Sequence, residues 1–291
     1  MHTPTLRTFY NPYQTAREND SFSPSAQKPA AVVGALETEP LVEVVSQWRP
    51  ITVDEIALAH DRGHVEAILR GEKANGFGNT LEAVADTLPW TNGSFLHAAA
   101  DALARKSATF SPTSGFHHAE YDAAMGFCTF NGLMIAAIML HREGAARRIG
   151  IVDMDVHYGN GTDDIIRRVG IDYVTHLSFT DVRPGDAQAP AAGDTTEDPW
   201  VAALKVELQR RFTDVDVLFY QAGADPHVKD PLGGALSTEQ MQLRDRAVFR
   251  FARSAGIPIV WNLAGGNQRP VQKVIDLHVT TAQECLSAWF R

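Results

Sequence analysis

Cysteine is nearly missing: Cys128 and Cys285 are the only two in 291 residues. So small a number excludes a disulfide scaffold and a cysteine-rich zinc module, and a reducing cytoplasm is the simplest setting. Positive charge is also in deficit. Lys and Arg number 26 against 35 Asp and Glu, a net charge of −9. Phosphate binding needs a basic surface, so a general grip on nucleic acid is disfavoured, while a cationic substrate is mildly favoured. Long apolar runs are absent. The longest, Leu133 to Leu140, falls far short of the ~20 residues that cross a bilayer. Met1 to Asp20 is polar and of mixed charge, without the apolar stretch of a signal peptide. No membrane partner is expected. No repeat and no linker stands out, so one domain over 1–291 is expected.

What is present is a large apolar fraction, 44%, enough for a substantial core. Short runs rich in Val and Ile recur: Arg148–Asp153, Tyr173–Phe179, Val215–Gln221 and Ile257–Leu263, with Thr5–Tyr10 and Ala108–Pro112 earlier. Each is bounded by turn-forming residues, the pattern of buried parallel strands. Helical spacing runs through Asn131–Glu143, Trp200–Phe212 and Ser237–Ala255, and Thr52-Val-Asp-Glu55 reads as a capping box. The alternation predicts an α/β chain whose mostly parallel sheet carries helices on both faces, three layers in all. Asp181–Pro199, rich in Pro, Ala, Gly and Asp, reads as a long loop of the functional kind.

In such sheets ligands sit beyond the carboxyl ends of the strands. Polar or glycine-rich clusters fall there four times: Gly115-Phe-His-His118, Asp153-Met-Asp-Val-His157, Ala222-Gly-Ala-Asp225 and Ala264-Gly-Gly-Asn267. In the second, three polar residues alternate and would share one face if the strand continued. Asp155 and His157 suit zinc and need a third ligand from elsewhere; Asp225 is the natural candidate, and three protein ligands with an open position make a catalytic site. The competing reading has these acids capping helices or holding a structural cation. It suffices for Asp225 taken alone, less so for the run ending Tyr-Gly-Asn-Gly161. His117 and His118 suit proton transfer and stabilisation of a developing charge. Asp153 and Asn160 are available to fix their tautomers. His60, His64, His97, His141 and His278 read as surface or packing residues, His227 as a neighbour of the site, and Cys128 as packing.

Taken in order, Gly115-Phe-His-His-Ala119, Gly126-Phe-Cys128 with Asn131, Asp153 to Gly161, Ala222-Gly-Ala-Asp225 with Asp230-Pro-Leu-Gly233, and Gly265-Gly266 resemble the histone deacetylase and acetylpolyamine amidohydrolase superfamily. The resemblance covers most of the chain. It implies an arginase-like fold and hydrolysis of an acylated lysine, polyamine or related small amine. It makes Asp155, His157 and Asp225 the ligands of one zinc ion, His118 the general base and acid, His117 its electrostatic companion, and Asp153 the partner of His117. It puts Asn160 where family members carry Asp or Asn. Gly126 and Phe127 become substrate-binding, Phe127 as a wall of the tunnel. A monovalent cation, usually potassium, is implied near Asp153, Asp155, His157 and Ser178. One departure stands out: Asn267 occupies the place of the usual Tyr that polarises the scissile carbonyl, which leaves a weakly active or purely binding member as an alternative. A binuclear manganese hydrolase on the same fold is a second alternative, and self-association is left open.

Overall fold

The computed structural model describes residues 4–182, 184 and 198–291; most of the Asp181–Pro199 segment lies outside them. Among the described residues, seven strands form one parallel sheet in the order β2-β1-β3-β7-β6-β4-β5. They are β1 (Leu6–Phe9), β2 (Val42–Val45), β3 (Ala108–Phe110), β4 (Ile149–Asp153), β5 (Val174–Ser178), β6 (Val217–Gln221) and β7 (Ile259–Asn262). Six coincide with the runs expected from the sequence, trimmed by a residue or two at the ends. The seventh, β2, is an edge strand whose residues are all at least partly exposed. Its sequence, Val42-Glu-Val-Val45, is nonetheless largely apolar, and the run was not among those expected.

Among the described residues, ten α-helices accompany the strands: α1 (Lys28–Leu36), α2 (Val53–Ile56), α3 (Arg62–Leu69), α4 (Glu82–Ala85), α5 (Leu88–Arg105), α6 (Gly132–Arg142), α7 (Asn160–Val169), α8 (Pro199–Phe212), α9 (Thr238–Ala255) and α10 (Gln272–Trp289). The capping box at Thr52 forms as expected, with both reciprocal hydrogen bonds, but it opens only the four-residue α2. A second box, Ser237 with Gln240, starts α9, and Gly256 ends it in the left-handed conformation. Helices α1, α3, α4, α5, α7 and α10 add to the pattern expected from the sequence.

Side-chain alternation along the central strands divides the interior into two layers. Ile149, Ile151, Val217, Phe219 and Val260 point to one side, into a core shared with α3, α5, α6 and α7. Val152, Leu218, Tyr220, Ile259 and Trp261 point to the other, packed with α1, α8, α9 and α10. The expected three-layer arrangement therefore holds.

One charged network within the second core fastens the loops beyond the strands. The buried Arg244 of α9 donates to the carbonyls of Met154, at 3.1 Å, and Gly223, at 2.7 Å, and to Asp245 at 2.8 Å. Asp245 also takes hydrogen bonds from Tyr220 and Thr281. Removing one partner of a buried charge pair leaves the other uncompensated, at a cost of about 3–5 kcal/mol. Arg244→Met should therefore lower stability by that amount, measured as the shift in urea midpoint by circular dichroism. An unchanged midpoint would show that the network carries no structural weight.

Candidate active site

The four polar clusters converge because their strands are neighbours. β3, β7, β6 and β4 lie side by side at the centre of the sheet, and each is followed by one cluster. The crevice beyond the carboxyl ends of parallel strands is where an α/β sheet places its ligands.

β4 ends at Asp153, so Asp155 and His157 do not continue the strand as a single face. They are brought round by turns instead. The Asp153 carboxylate accepts the amide of Asp155, and the Asp155 carboxylate accepts the amide of His157, each at 3.1 Å. These are self-made turns of the kind that short acidic side chains favour. Asp225, beyond β6, accepts the Val156 amide at 3.2 Å and is tied to the same loop. Ligand atoms of Asp155, His157 and Asp225 all lie within 4.8 Å of one another. His157 Nδ1 is 3.0 Å from Asp155 Oδ1 and 3.2 Å from Asp225 Oδ2.

The electrostatics of this trio call for a cation. Asp155 and Asp225 are both buried. Burial and the facing Asp155 push the Asp225 carboxyl up. Burial acts the same way on Asp155, but His117 and His157 hold it well below the usual carboxylate range. Hydrogen bonds to both acids raise His157 to about 10. A set that pulls this strongly on a proton would bind a dication with the same atoms, and one imidazole with two carboxylates suits zinc.

Two histidines stand beside the trio. His117 is buried and its Nδ1 meets Asp153 Oδ2 at 2.7 Å. Burial alone would lower its pKa, but Asp153 and Asp155 carry it to about 9. His118 is less buried; its Nδ1 meets Asn160 Oδ1 at 2.6 Å. Burial and then the charge of His117 lower its pKa. Adjacent histidines are thus driven apart, one to the cation and one to the neutral base. The His118 ring lies 4.0 Å from that of His117 and 5.7 Å from that of His157, between ring centres.

Backbone without side chains closes the site. A Cβ on Gly265 would lie 2.2 Å from Asp225 Oδ2 and 2.5 Å from Asp155 Oδ2, and one on Gly126 would lie 2.5 Å from His118 Cδ2. The Gly265 amide donates to Asp155 Oδ2 at 2.9 Å. Beneath it, the buried Lys28 donates to the carbonyls of Ala264 and Gly265 at 2.7 and 3.0 Å. Phe127 packs against Phe77 and the largely exposed Phe22, ring centres 5.8 and 5.3 Å away.

Other expected residues have different surroundings. The Asn267 amide nitrogen of the backbone donates to Asp230 at 2.7 Å, while its side-chain oxygen is buried without a partner. The Ser178 hydroxyl accepts from Thr180. Ser178 is in register with Asp153 on β5, and the side chain of His176, two residues earlier, lies 3.7 Å from Asp153 Oδ2 and 2.8 Å from Asp163 Oδ1. Against the pull of burial, these two acids raise it to about 9. His227 bonds Thr238 and the Lys229 amide, and Cys128 is a buried free thiol that burial pushes up. Sequence reasoning missed His176, Lys28, Arg244 and Glu120, whose carboxylate accepts from Asn160 Nδ2 at 2.8 Å. Glu120 follows the His pair by two residues, a proximity that could have drawn notice.

Among known families, the histone deacetylase domain matches residues 23–282. The chain is 26% identical over 266 residues to an uncharacterized protein of Picosynechococcus, covering 84% of this chain and 86% of that one. It is 28% identical over 169 residues to a probable deacetylase of Methanothermobacter thermautotrophicus, covering 52% of this chain and 50% of that one. Its fold is similar to the crystal structure of an acetylpolyamine aminohydrolase from Burkholderia pseudomallei, with a TM-score of 0.69 at 20% identity over 98% of this chain and 99% of that one. Among the described residues, no helix is long and apolar enough to cross a membrane.

The close approach of Gly265 gives a direct test. Gly265→Ala should weaken divalent-metal binding by about 10- to 100-fold, the range for disturbing the surroundings of metal ligands, and leave the circular dichroism spectrum intact. Calorimetric titration with zinc checks it; unchanged affinity would show that the backbone there has room to move.

Proposed function

The chain belongs to the histone deacetylase domain family, and from that premise we propose that it is a zinc-dependent deacylase acting on the amide of an acylated lysine, polyamine or related amine. The observation that carries the reading is the pair of adjacent histidines, one bonded to the Asp153 carboxylate and the other to the Asn160 amide oxygen, beside a trio of two carboxylates and an imidazole.

Asp155, His157 and Asp225 would hold the zinc. When bound, the ion supplies a Lewis acid for the amide carbonyl and a water of lowered pKa. The chain's own residues do the rest. His118, neutral and with Nδ1 committed to Asn160, offers Nε2 to take the proton of the attacking water. The same proton then goes to the leaving amine nitrogen, so that amide and water become carboxylic acid and amine, which end as carboxylate and ammonium. His117, whose Nδ1 is paired with the Asp153 carboxylate, would support positive charge beside the developing oxyanion. Gly126 and Phe127, with Phe22 and Phe77, would line the entry for an acyl-lysine stem.

A monovalent cation near Asp153, Asp155, His157 and Ser178 would lie where Ser178 stands in register with Asp153 and would share those surroundings with His176, 3.7 Å from Asp153 Oδ2. Only one cluster of metal-binding character occurs among the described residues, which favours a single ion over a binuclear centre.

His118→Ala should lower kcat by roughly two to four orders of magnitude, with zinc content unchanged by elemental analysis; Asp155→Ala should lose the zinc. Because catalysis needs neutral His118 and its pKa is lowered, kcat/KM should rise with pH along a limb centred below the ordinary histidine value of about 6.5. A bound dication pushes in the same direction. A limb centred above pH 7, or full activity in His118→Ala, would overturn the assignment.

Asn267 allows a second test. A preorganised oxyanion donor is worth about 10²- to 10³-fold in turnover, so Asn267→Tyr should raise kcat on acetyl-lysine. A fall on both acetyl and longer acyl amides would show that the site already supplies that donor from Asn267 or a neighbour.

A further inference from the structure

One carboxylate in the site takes no part in the chemistry above. Glu120 accepts from Asn160 Nδ2 at 2.8 Å, and Asn160 Oδ1 in turn meets His118 Nδ1 at 2.6 Å. The arrangement answers a problem that an amide creates. The two ends of an Asn side chain have nearly the same shape but opposite hydrogen-bonding character. With its oxygen toward His118, Nδ1 must carry the proton and Nε2 keeps the lone pair that a base requires. With its NH2 turned inward, Nδ1 must accept, the proton moves to Nε2, and His118 can take nothing from water. A carboxylate in place of Asn160 would have no such ambiguity, since it only accepts.

Glu120 removes the ambiguity. An ionised carboxylate offers acceptors alone, so the NH2 end of Asn160 is drawn to it and the oxygen is left for His118. The other neighbour of Nδ2, Met125 Sδ at 3.5 Å, is a weak acceptor and acts in the same sense. Glu120 itself is anchored by its backbone. Its carbonyl accepts from Nδ1 of the buried His60 at 2.9 Å, and its amide donates to Ala123 at 2.9 Å. His60 Nε2 accepts the Asn131 amide at 2.9 Å. Burial holds His60 near 4 and therefore neutral at physiological pH, which suits one donating and one accepting nitrogen.

We infer that Glu120 is a positioning residue that selects the tautomer of His118 by orienting the Asn160 amide. The inference rests on His118 being the base only for its effect on turnover; the tautomer itself is measured separately.

The experiment uses zinc-loaded protein with 15N-labelled histidine. His118 is assigned by comparison with His118→Ala, and its ring nitrogen shifts report which nitrogen bears the proton. Glu120→Gln retains an acceptor oxygen and should keep the Nδ1–H form, with kcat within a few-fold of wild type. Glu120→Lys puts a group there that only donates. It should capture Asn160 Oδ1, turn the NH2 toward His118, shift the ring to the Nε2–H form, and lower kcat by about 100-fold or more, the scale of a lost general base, with KM little changed. Adding Asn160→Asp to Glu120→Lys should restore both the Nδ1–H form and most of the turnover, because the introduced carboxylate accepts from His118 whatever stands behind it. A purely structural role for Glu120 would not be rescued in this way. An unshifted tautomer in Glu120→Lys, or a double variant no better than the single one, overturns the inference. A shifted tautomer with undiminished kcat upholds Glu120 and instead refutes His118 as the base.

Discussion

Three carboxylates, Asp153, Asp155 and Asp225, are buried at the ends of two adjacent strands, and the structure around them is organised by the need to balance their charge. Removing an ion from water costs several kcal/mol even after relaxation, so such a group persists only with cations and hydrogen bonds on every side. His117 and His176 flank Asp153, and His157 bridges Asp155 and Asp225. Arg244 and Lys28 act one layer further out. They bind the carbonyls of Met154, Gly223, Ala264 and Gly265, which lie in the loops that carry or close over the acids. Desolvation lowers Lys28 to about 8 despite the attraction of Asp225 and Asp155. These two cations come from helices on the same side of the sheet, α1 and α9, which packs them against the back of the site.

The same constraint explains the backbone. Acids this close leave little room, and the chain meets the limit by dispensing with side chains at Gly265 and by turning Asp153 and Asp155 onto amides two residues ahead. Each carboxylate is thus used twice, as a charge and as the acceptor that shapes its own loop. A substitution of one acid would disturb both functions together.

The two histidines show how unlike neighbours make unlike groups from one residue type. A carboxylate behind His117 favours the cation; behind His118 stands only an amide, and burial together with the charge of His117 favours its neutral form. Pairs of titratable groups driven apart by their surroundings are how a site divides labour at neutral pH. The amide has the disadvantage of being reversible, and Glu120 stands where that reversal is decided.

From the sequence alone the fold class was readable, because strands buried on both faces are apolar throughout and are interrupted by helical spacing; β4, β6 and β7 are fully buried. So was the candidate metal trio, since Asp-x-Asp-x-His is dense in chemistry over five residues and Asp225 follows another strand. The edge strand β2 was not expected, although its Val42-Glu-Val-Val45 carries three valines. Nor were Lys28, His176, Glu120 and Arg244. Each is an ordinary residue in its local context and gains meaning from a neighbour far along the chain, as Lys28 does from Ala264, 236 positions away. The order of strands decided the rest: only the adjacency of β3, β7, β6 and β4 turns four separate strand ends into one pocket, and that adjacency comes from long-range pairing, which no local pattern encodes.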